Sequence, residues 1–179
     1  MSERLRERWT WDAYLEWEAR QARRHEFVDG EVRAVTGGSM RHDTIANALR
    51  VALHAALHGG PCKLHGPRLK VATGNGNARY PDALVTSAAE PVAVFEILPR
   101  CTDWIEHALR RRDYDATPSI RYDVLIGQDE MRAIIHRRDE TGRFGIRSAA
   151  FVEGAEGVIA LPSLGITLTL GLLHEGLDA

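Results

Sequence analysis

The chain predicts a single mixed α/β domain, α+β in the grouping of its elements, with a central mixed β-sheet flanked by helices. Three observations lead there. Short alternating apolar runs recur around Phe27, Leu84 and Phe95, the pattern of half-buried strands. Two longer stretches, beginning at Ser39 and near Asp103, are laid out as helices. Glycine, proline and asparagine clusters separate these segments without marking a domain boundary. At 179 residues the chain is long enough for one well-buried domain and too short for two comfortable ones, so residues 1–179 are taken as one unit.

Taken in order, Thr10 or Asp12 caps a first helix running to about Arg23, with Trp9, Tyr14, Leu15 and Trp17 as its apolar surface. The run from Glu26 to Val35 carries Asp29-Gly30 between two short alternating segments. That pair favours the positive φ angles of a tight hairpin turn. Ser39 opens an amphipathic helix in which Ile45, Leu49, Ala52, Leu53, Ala56 and Leu57 recur at helical spacing, until Gly59-Gly60-Pro61 ends it. Strands follow at about Cys62–Leu64, Leu69–Thr73, Ala83–Thr86 and Val92–Leu98, and Gly74-Asn75-Gly76-Asn77 reads as a flexible hairpin tip. A helix over about Asp103–Ala116 is halted by Pro118. Strands at Tyr122–Ile126, near Arg132–His136 and near Phe144–Ser148 come next. Pro162 to Ile166 introduces a last short strand, and Leu170–Glu175 forms a helical turn.

Composition narrows the function classes. Hydrophobic residues make up 44% and charged residues 27%, as in an ordinary globular protein. A formal net charge of −2 gives no global basic field, so any nucleic-acid contact must come from a local patch such as Arg110-Arg111-Arg112 or Arg137-Arg138. Consecutive helical residues point about 100° apart, so the three arginines cannot share one groove. Two cysteines, Cys62 and Cys101, show neither disulfide nor zinc spacing, which fits a reducing cytoplasm. The charged start from Met1 to Arg8 cannot be the apolar core of a secretion signal, and no apolar run is long enough to span a membrane.

Two acids stand out. Asp82, in Tyr80-Pro81-Asp82, begins one apolar strand, and Glu96, in Phe95-Glu96-Ile97, ends the next. A charged acid in such a run costs several kcal/mol to desolvate unless a metal or partner offsets it. They lie fourteen positions apart with a turn at about Ser87–Pro91 between them, so antiparallel pairing would bring them side by side. Two hard oxygen donors suit Mg²⁺ or Mn²⁺. The plain alternative is a pair of acids that merely flank strand ends.

The motifs around these acids resemble the Uma2 family of restriction-endonuclease-like proteins, within the PD-(D/E)xK nuclease superfamily. The likeness runs from Glu26-Phe27-Val28-Asp29-Gly30-Glu31 through Gly38-Ser39-Met40-Arg41-His42, Tyr80-Pro81-Asp82 and Glu96-Ile97-Leu98. It continues in Pro118 to Leu125 and Leu161 to Gly165, covering nearly the whole chain. The resemblance implies a restriction-endonuclease-like core and a metal site at Asp82 and Glu96. It also implies site roles for Glu26, which by itself reads as a solvated acid, and for His42, which by itself reads as a helix-cap contact.

The chain departs from the pattern as well. Superfamily nucleases carry a lysine two residues after the second acid, where this chain has Leu98. The Uma2 pattern offers a lysine four residues before a helical tyrosine, and counting back from Tyr114 gives Arg110. Lys70 is a possible substitute cation. Pro99-Arg100-Cys101-Thr102 replaces a serine-proline-serine-threonine run, retaining only Thr102. The leading expectation is metal-dependent hydrolysis of DNA by Asp82, Glu96, Glu26 and His42, with Arg110 or Lys70 stabilising charge. Rival expectations are a catalytically decayed module that binds nucleic acid or protein, and a protein acting on RNA. A homodimer is expected by analogy with double-strand cutters, without a specified interface.

Overall fold

A computed structural model describes residues 8–98, 104–145 and 148–177. Helix α1 (Trp11–Glu18) starts where Thr10 Oγ1 accepts the Ala13 amide at 3.3 Å. It is shorter than the expected run to Arg23. The Arg20 and Gln21 amides bond three residues back, to Trp17 and Glu18, which turns the chain out of the helix. The turn lets β1 (His25–Val28) fold back against α1, with the Tyr14 ring stacked on Phe27 at 5.1 Å and its hydroxyl donating to the His25 carbonyl at 2.7 Å. Trp11 joins that cluster, while Trp9 and Trp17 lean on one another at 5.3 Å. Strand β2 (Glu31–Ala34) completes the hairpin, and Asp29 and Gly30 take the positive φ values of 51° and 85° that its turn requires.

Helix α2 (Met40–Leu57) is capped by Ser39, whose Oγ accepts the His42 amide at 3.1 Å. Its inner face of Ile45, Ala46, Leu49, Leu53 and Leu57 is buried against the main sheet. After it come β3 (Cys62–His65), β4 (Val71–Ala72), β5 (Ala78–Arg79), β6 (Ala83–Ser87) and β7 (Glu90–Leu98). Helix α3 (Trp104–Asp115) leads to β8 (Tyr122–Gly127), β9 (Arg132–Arg137), β10 (Ala149–Glu153) and β11 (Val158–Leu161). A short 3-10 turn over Pro162–Leu164, strand β12 (Ile166–Thr169) and helix α4 (Leu170–Leu173) finish the fold.

The main sheet has six strands in the order β10-β9-β8-β7-β6-β3 and is mixed, because β7 and β8 are parallel and the other pairs antiparallel. A smaller sheet runs β2-β1-β5-β4, and β11 pairs with β12. One face of the main sheet, with Val85, Phe95, Val124 and Ile135, meets α2 and the C-terminal elements. The other face presents Leu84 and Val94, which pack with Tyr114 of α3. Alternation along β7 puts Glu96 on that second face, two residues on from Val94.

Several expectations need correction. The Gly74–Asn77 insert is not a loose tip. Gly74 N–H donates to Thr117 Oγ1 at 3.0 Å, and Asn75 and Asn77 both donate to Asp113 Oδ1, at 2.7 and 2.9 Å. The strand expected near Phe144–Ser148 lies at Ala149–Glu153 instead, because Phe144 packs into the core under α3 with the Arg138 guanidinium 4.5 Å above its ring. Strands β5 and β11 carry no signal in the sequence, since two to four residues hold too little periodicity. Cys101 and the Pro99–Thr102 segment lie outside the described residues. Among the described residues no helix is long and apolar enough to cross a membrane.

The insert's close approach to α3 gives a direct test. A Cβ on Gly74 would lie 1.8 Å from the Ala116 carbonyl oxygen. Gly74→Ala is expected to lower unfolding stability by about 1–3 kcal/mol in a urea titration. An unchanged midpoint would show that the insert is not seated there.

Candidate functional site

Asp82 is two residues beyond Tyr80, immediately before β6, and the antiparallel pairing of Ala83 with Phe95 carries it back beside Glu96. Its Oδ2 accepts the Ile97 amide at 2.8 Å, which fixes the carboxylate at the end of two central strands. The same oxygen lies 3.2 Å from His42 Nε2. His42 reaches it from the first turn of α2 because Gly38 leaves room: a Cβ there would lie 2.5 Å from His42 Nδ1. The hydrogen bond to Asp82 raises the His42 pKa against the opposing effect of burial.

Glu96 is 6% exposed and its Oε1 accepts two donors, the Tyr114 hydroxyl at 2.6 Å and Arg110 Nη1 at 3.2 Å. Both donors come from α3, one turn apart, so the helix face that covers the sheet also furnishes the site's cation. Arg110 Nη1 stands 3.0 Å from Glu26 Oε1 as well, and its Nη2 donates to Glu26 Oε2 at 3.3 Å. Glu26, on β1, is held in turn by the Tyr80 amide at 3.1 Å and by Arg79 Nη1 at 2.9 Å. Arg79 is fully buried and its Nε donates to Asp113 Oδ2 at 2.7 Å. The sequence reading overlooked Arg79, Asp113 and Tyr114 as site residues. Arg79 carried one usable signal, an arginine within a two-residue strand directly before Tyr80-Pro81-Asp82.

Five of the six sequence candidates therefore meet: Asp82 with His42, and Glu96 with Arg110 and Glu26. Lys70 stands apart. Its ammonium pairs with Glu18 at 2.8 Å and lies 4.7 Å from the centre of the Tyr14 ring, and Glu18 also accepts the Tyr80 hydroxyl at 2.5 Å. The three consecutive arginines diverge as helical geometry demands: Arg110 turns to the acids, while half-exposed Arg112 pairs with Asp29 and Asp113. Arg111 acts electrostatically on Asp123 and His136, direct partners across β8 and β9. Asp123 Oδ1 and His136 Nδ1 are buried without a hydrogen-bond partner among the described residues. Burial lifts the Asp123 carboxyl to about 7 and lowers the His136 imidazole to about 4. Asp123 carries no signal in the sequence, and His136, which reads there as a strand-surface histidine, is buried instead.

A model of the Uma2 family, described as "Putative restriction endonuclease", matches residues 11–171. This chain belongs to the Uma2 family. An uncharacterized protein of Synechocystis sp. (strain ATCC 27184 / PCC 6803 / Kazusa) is 26% identical to it, over 93% of this chain and 91% of that protein. A crystal structure from Anabaena variabilis ATCC 29413, titled as a "putative nuclease belonging to DUF820", superposes with a TM-score of 0.73 at 14% identity. That match covers 92% of this chain and 96% of the other, and at such identity it establishes the shared fold.

The donor set of this Uma2 protein fits a small hard cation. Among the described residues no group of three or more His, Cys, Asp or Glu side chains is arranged as a metal cage. Mg²⁺ needs no such cage, because it keeps several waters and takes only one or two carboxylates. Asp82 and Glu96 offer those two.

Burial pushes the Glu96 carboxyl up to about 7, with Arg110 opposing the rise and the Asp82 charge adding to it. The folded protein thus retains a proton that the unfolded chain has released. Glu96 favours folding below its ordinary value of 4.5 and loses that contribution as pH rises towards about 7. Glu96→Gln stays neutral throughout, so its stability relative to wild type is expected to rise by on the order of 1–3 kcal/mol between about pH 4.5 and pH 8. Urea unfolding at both ends of that window measures the difference, and a flat difference contradicts the assignment.

Proposed function

We propose that this protein hydrolyses phosphodiester bonds in DNA using a divalent cation, Mg²⁺ or Mn²⁺, held by Asp82 and Glu96. The observation that carries this reading is the convergence of two carboxylates from antiparallel strands beside a third acid and a guanidinium. Membership in a family described as "Putative restriction endonuclease" supports it. A cation bound there would supply Lewis acidity and a more acidic water.

The chain's own residues supply the rest. Asp82 is held in place by the Ile97 amide, which donates to the oxygen it shares with His42. His42, its pKa raised by Asp82, bonds that carboxylate through Nε2 and so orients Asp82 towards a bound cation. Arg110 can clamp a phosphate through two N–H groups, but it cannot give up a proton and so serves as a charge stabiliser only. Glu26 holds Arg110 at the mouth of the site. A second reading, a binding module without turnover, draws on one specific observation: Arg110 already pairs with both Glu26 and Glu96.

Supercoiled plasmid incubated with purified protein and Mg²⁺ or Mn²⁺ should be nicked, and EDTA should stop the reaction. Asp82→Ala is expected to reduce the rate by about 100-fold or more. Equal cutting by Asp82→Ala, or no nicking by a folded wild-type protein, would falsify the reading. A structured RNA run in parallel identifies the substrate if RNA alone is cut.

A further inference from the structure

The carboxylates of this site already share a cation of the protein's own. Arg110 Nη1 sits between Glu26 Oε1 and Glu96 Oε1, at 3.0 and 3.2 Å, and the same Glu96 oxygen accepts the Tyr114 hydroxyl at 2.6 Å. We propose that Arg110 is a built-in occupant of the Glu96 half of the cation site. Divalent binding at Asp82 and Glu96 then requires the guanidinium to leave Glu96, and the released group, still held by Glu26, becomes the phosphate clamp. This inference rests on the metal-dependent reading above.

Three features support the exchange. The first is charge. Glu96, Glu26 and Asp113 face two guanidinium groups, Arg79 and Arg110, and Asp82 adds a further carboxylate beside Glu96, an excess of acid that favours a cation at Asp82 and Glu96. A guanidinium held against Glu96 would repel that cation at short range in a half-buried setting. The second is anchorage. Glu26 is fixed by Arg79 and the Tyr80 amide, and it meets Arg110 through both of its oxygens, so Arg110 can release Glu96 without leaving the site. The third is access. Arg110 keeps 21% of its side-chain surface exposed while Arg79 has none, so of these two cations only Arg110 can reach a ligand.

Metal binding and phosphate binding are thereby coupled. The cation frees the clamp, and a phosphate that engages the clamp keeps it off Glu96 and favours the cation in return, as linkage requires.

Mn²⁺ binding, measured by electron paramagnetic resonance and calorimetry at about pH 8.5 to keep the carboxylates ionised, tests this without reference to turnover. Wild type, Arg110→Met, Arg110→Gln and Asp82→Asn are compared, with folding checked by circular dichroism. Removing the competing guanidinium is expected to tighten Mn²⁺ binding by about tenfold, the equivalent of one charge-assisted hydrogen bond. Should neither Arg110 variant fold, Mg²⁺ titration of ¹⁵N-labelled wild type decides. The Arg110 Nε–Hε resonance, assigned by its loss in Arg110→Lys, should move in step with binding. Equal or weaker Mn²⁺ affinity in folded Arg110 variants, or a resonance that stays fixed while metal binds, overturns the proposal and leaves the metal site standing. Mn²⁺ binding that is absent, or indifferent to Asp82→Asn, overturns the metal-dependent reading itself and this inference with it.

Discussion

An arginine with no exposed surface joins the parts of this molecule that make its site. Arg79 lies between Glu26 of β1 and Asp113 of α3, at 2.9 and 2.7 Å, and so ties the hairpin, the small sheet and the helix over the main sheet. A buried charge is costly to desolvate, and a pair of well-placed carboxylates offsets that cost only when the geometry is held closely. Asn75 and Asn77 spend their amides on Asp113, and the Tyr80 amide bonds Glu26, so both partners of Arg79 are fixed by further donors. The small sheet and α3 therefore cannot drift apart without exposing or orphaning ions. Such networks add little net stability compared with an apolar core, but they specify one arrangement.

That arrangement sets the chemistry next to it. Because α3 is clamped through Asp113, Arg110 one turn earlier and the hydroxyl of the next residue, Tyr114, fall on Glu96 rather than into solvent. Arg138 closes the other end, donating to the carbonyls of Tyr114, Asp115 and Thr117 just where the helix runs out. The Tyr114 and Thr117 carbonyls also accept the Thr117 and Ile120 amides, so Arg138 reinforces turns already closed by backbone, and a cation there favours the helix dipole. The result is a carboxylate with a raised pKa beside a cation that cannot lose its charge, on the face of the sheet where Asp123 and His136 continue the line of ionisable groups.

The larger elements were legible in the sequence because each rests on a local rule. Asp29-Gly30 makes its turn through positive φ, Ser39 caps α2 with its own hydroxyl, and the apolar spacing of α2 faces a sheet whose strands alternate. Asp82 and Glu96 were legible for the same reason, since a tight turn between two strands leaves few ways to pair them. The insert at Gly74–Asn77 misled because asparagine and glycine read as a loop tip whether they meet water or, as here, a buried aspartate.

The sequence by itself determined the hairpins, the two long helices, the order of strands around the acid pair and, through its motifs, membership in the Uma2 family. Only the tertiary structure decided which cation serves the acids. Spacing from Tyr114 points to Arg110 with Lys70 as a possible substitute, and in the fold Lys70 is drawn to Glu18 and Arg110 to Glu26 and Glu96. Local rules cannot separate them, because the choice depends on contacts between residues 14 to 84 positions apart in the chain. Coulombic pairing depends on distance in space, and that distance is set by how α3 packs on the sheet.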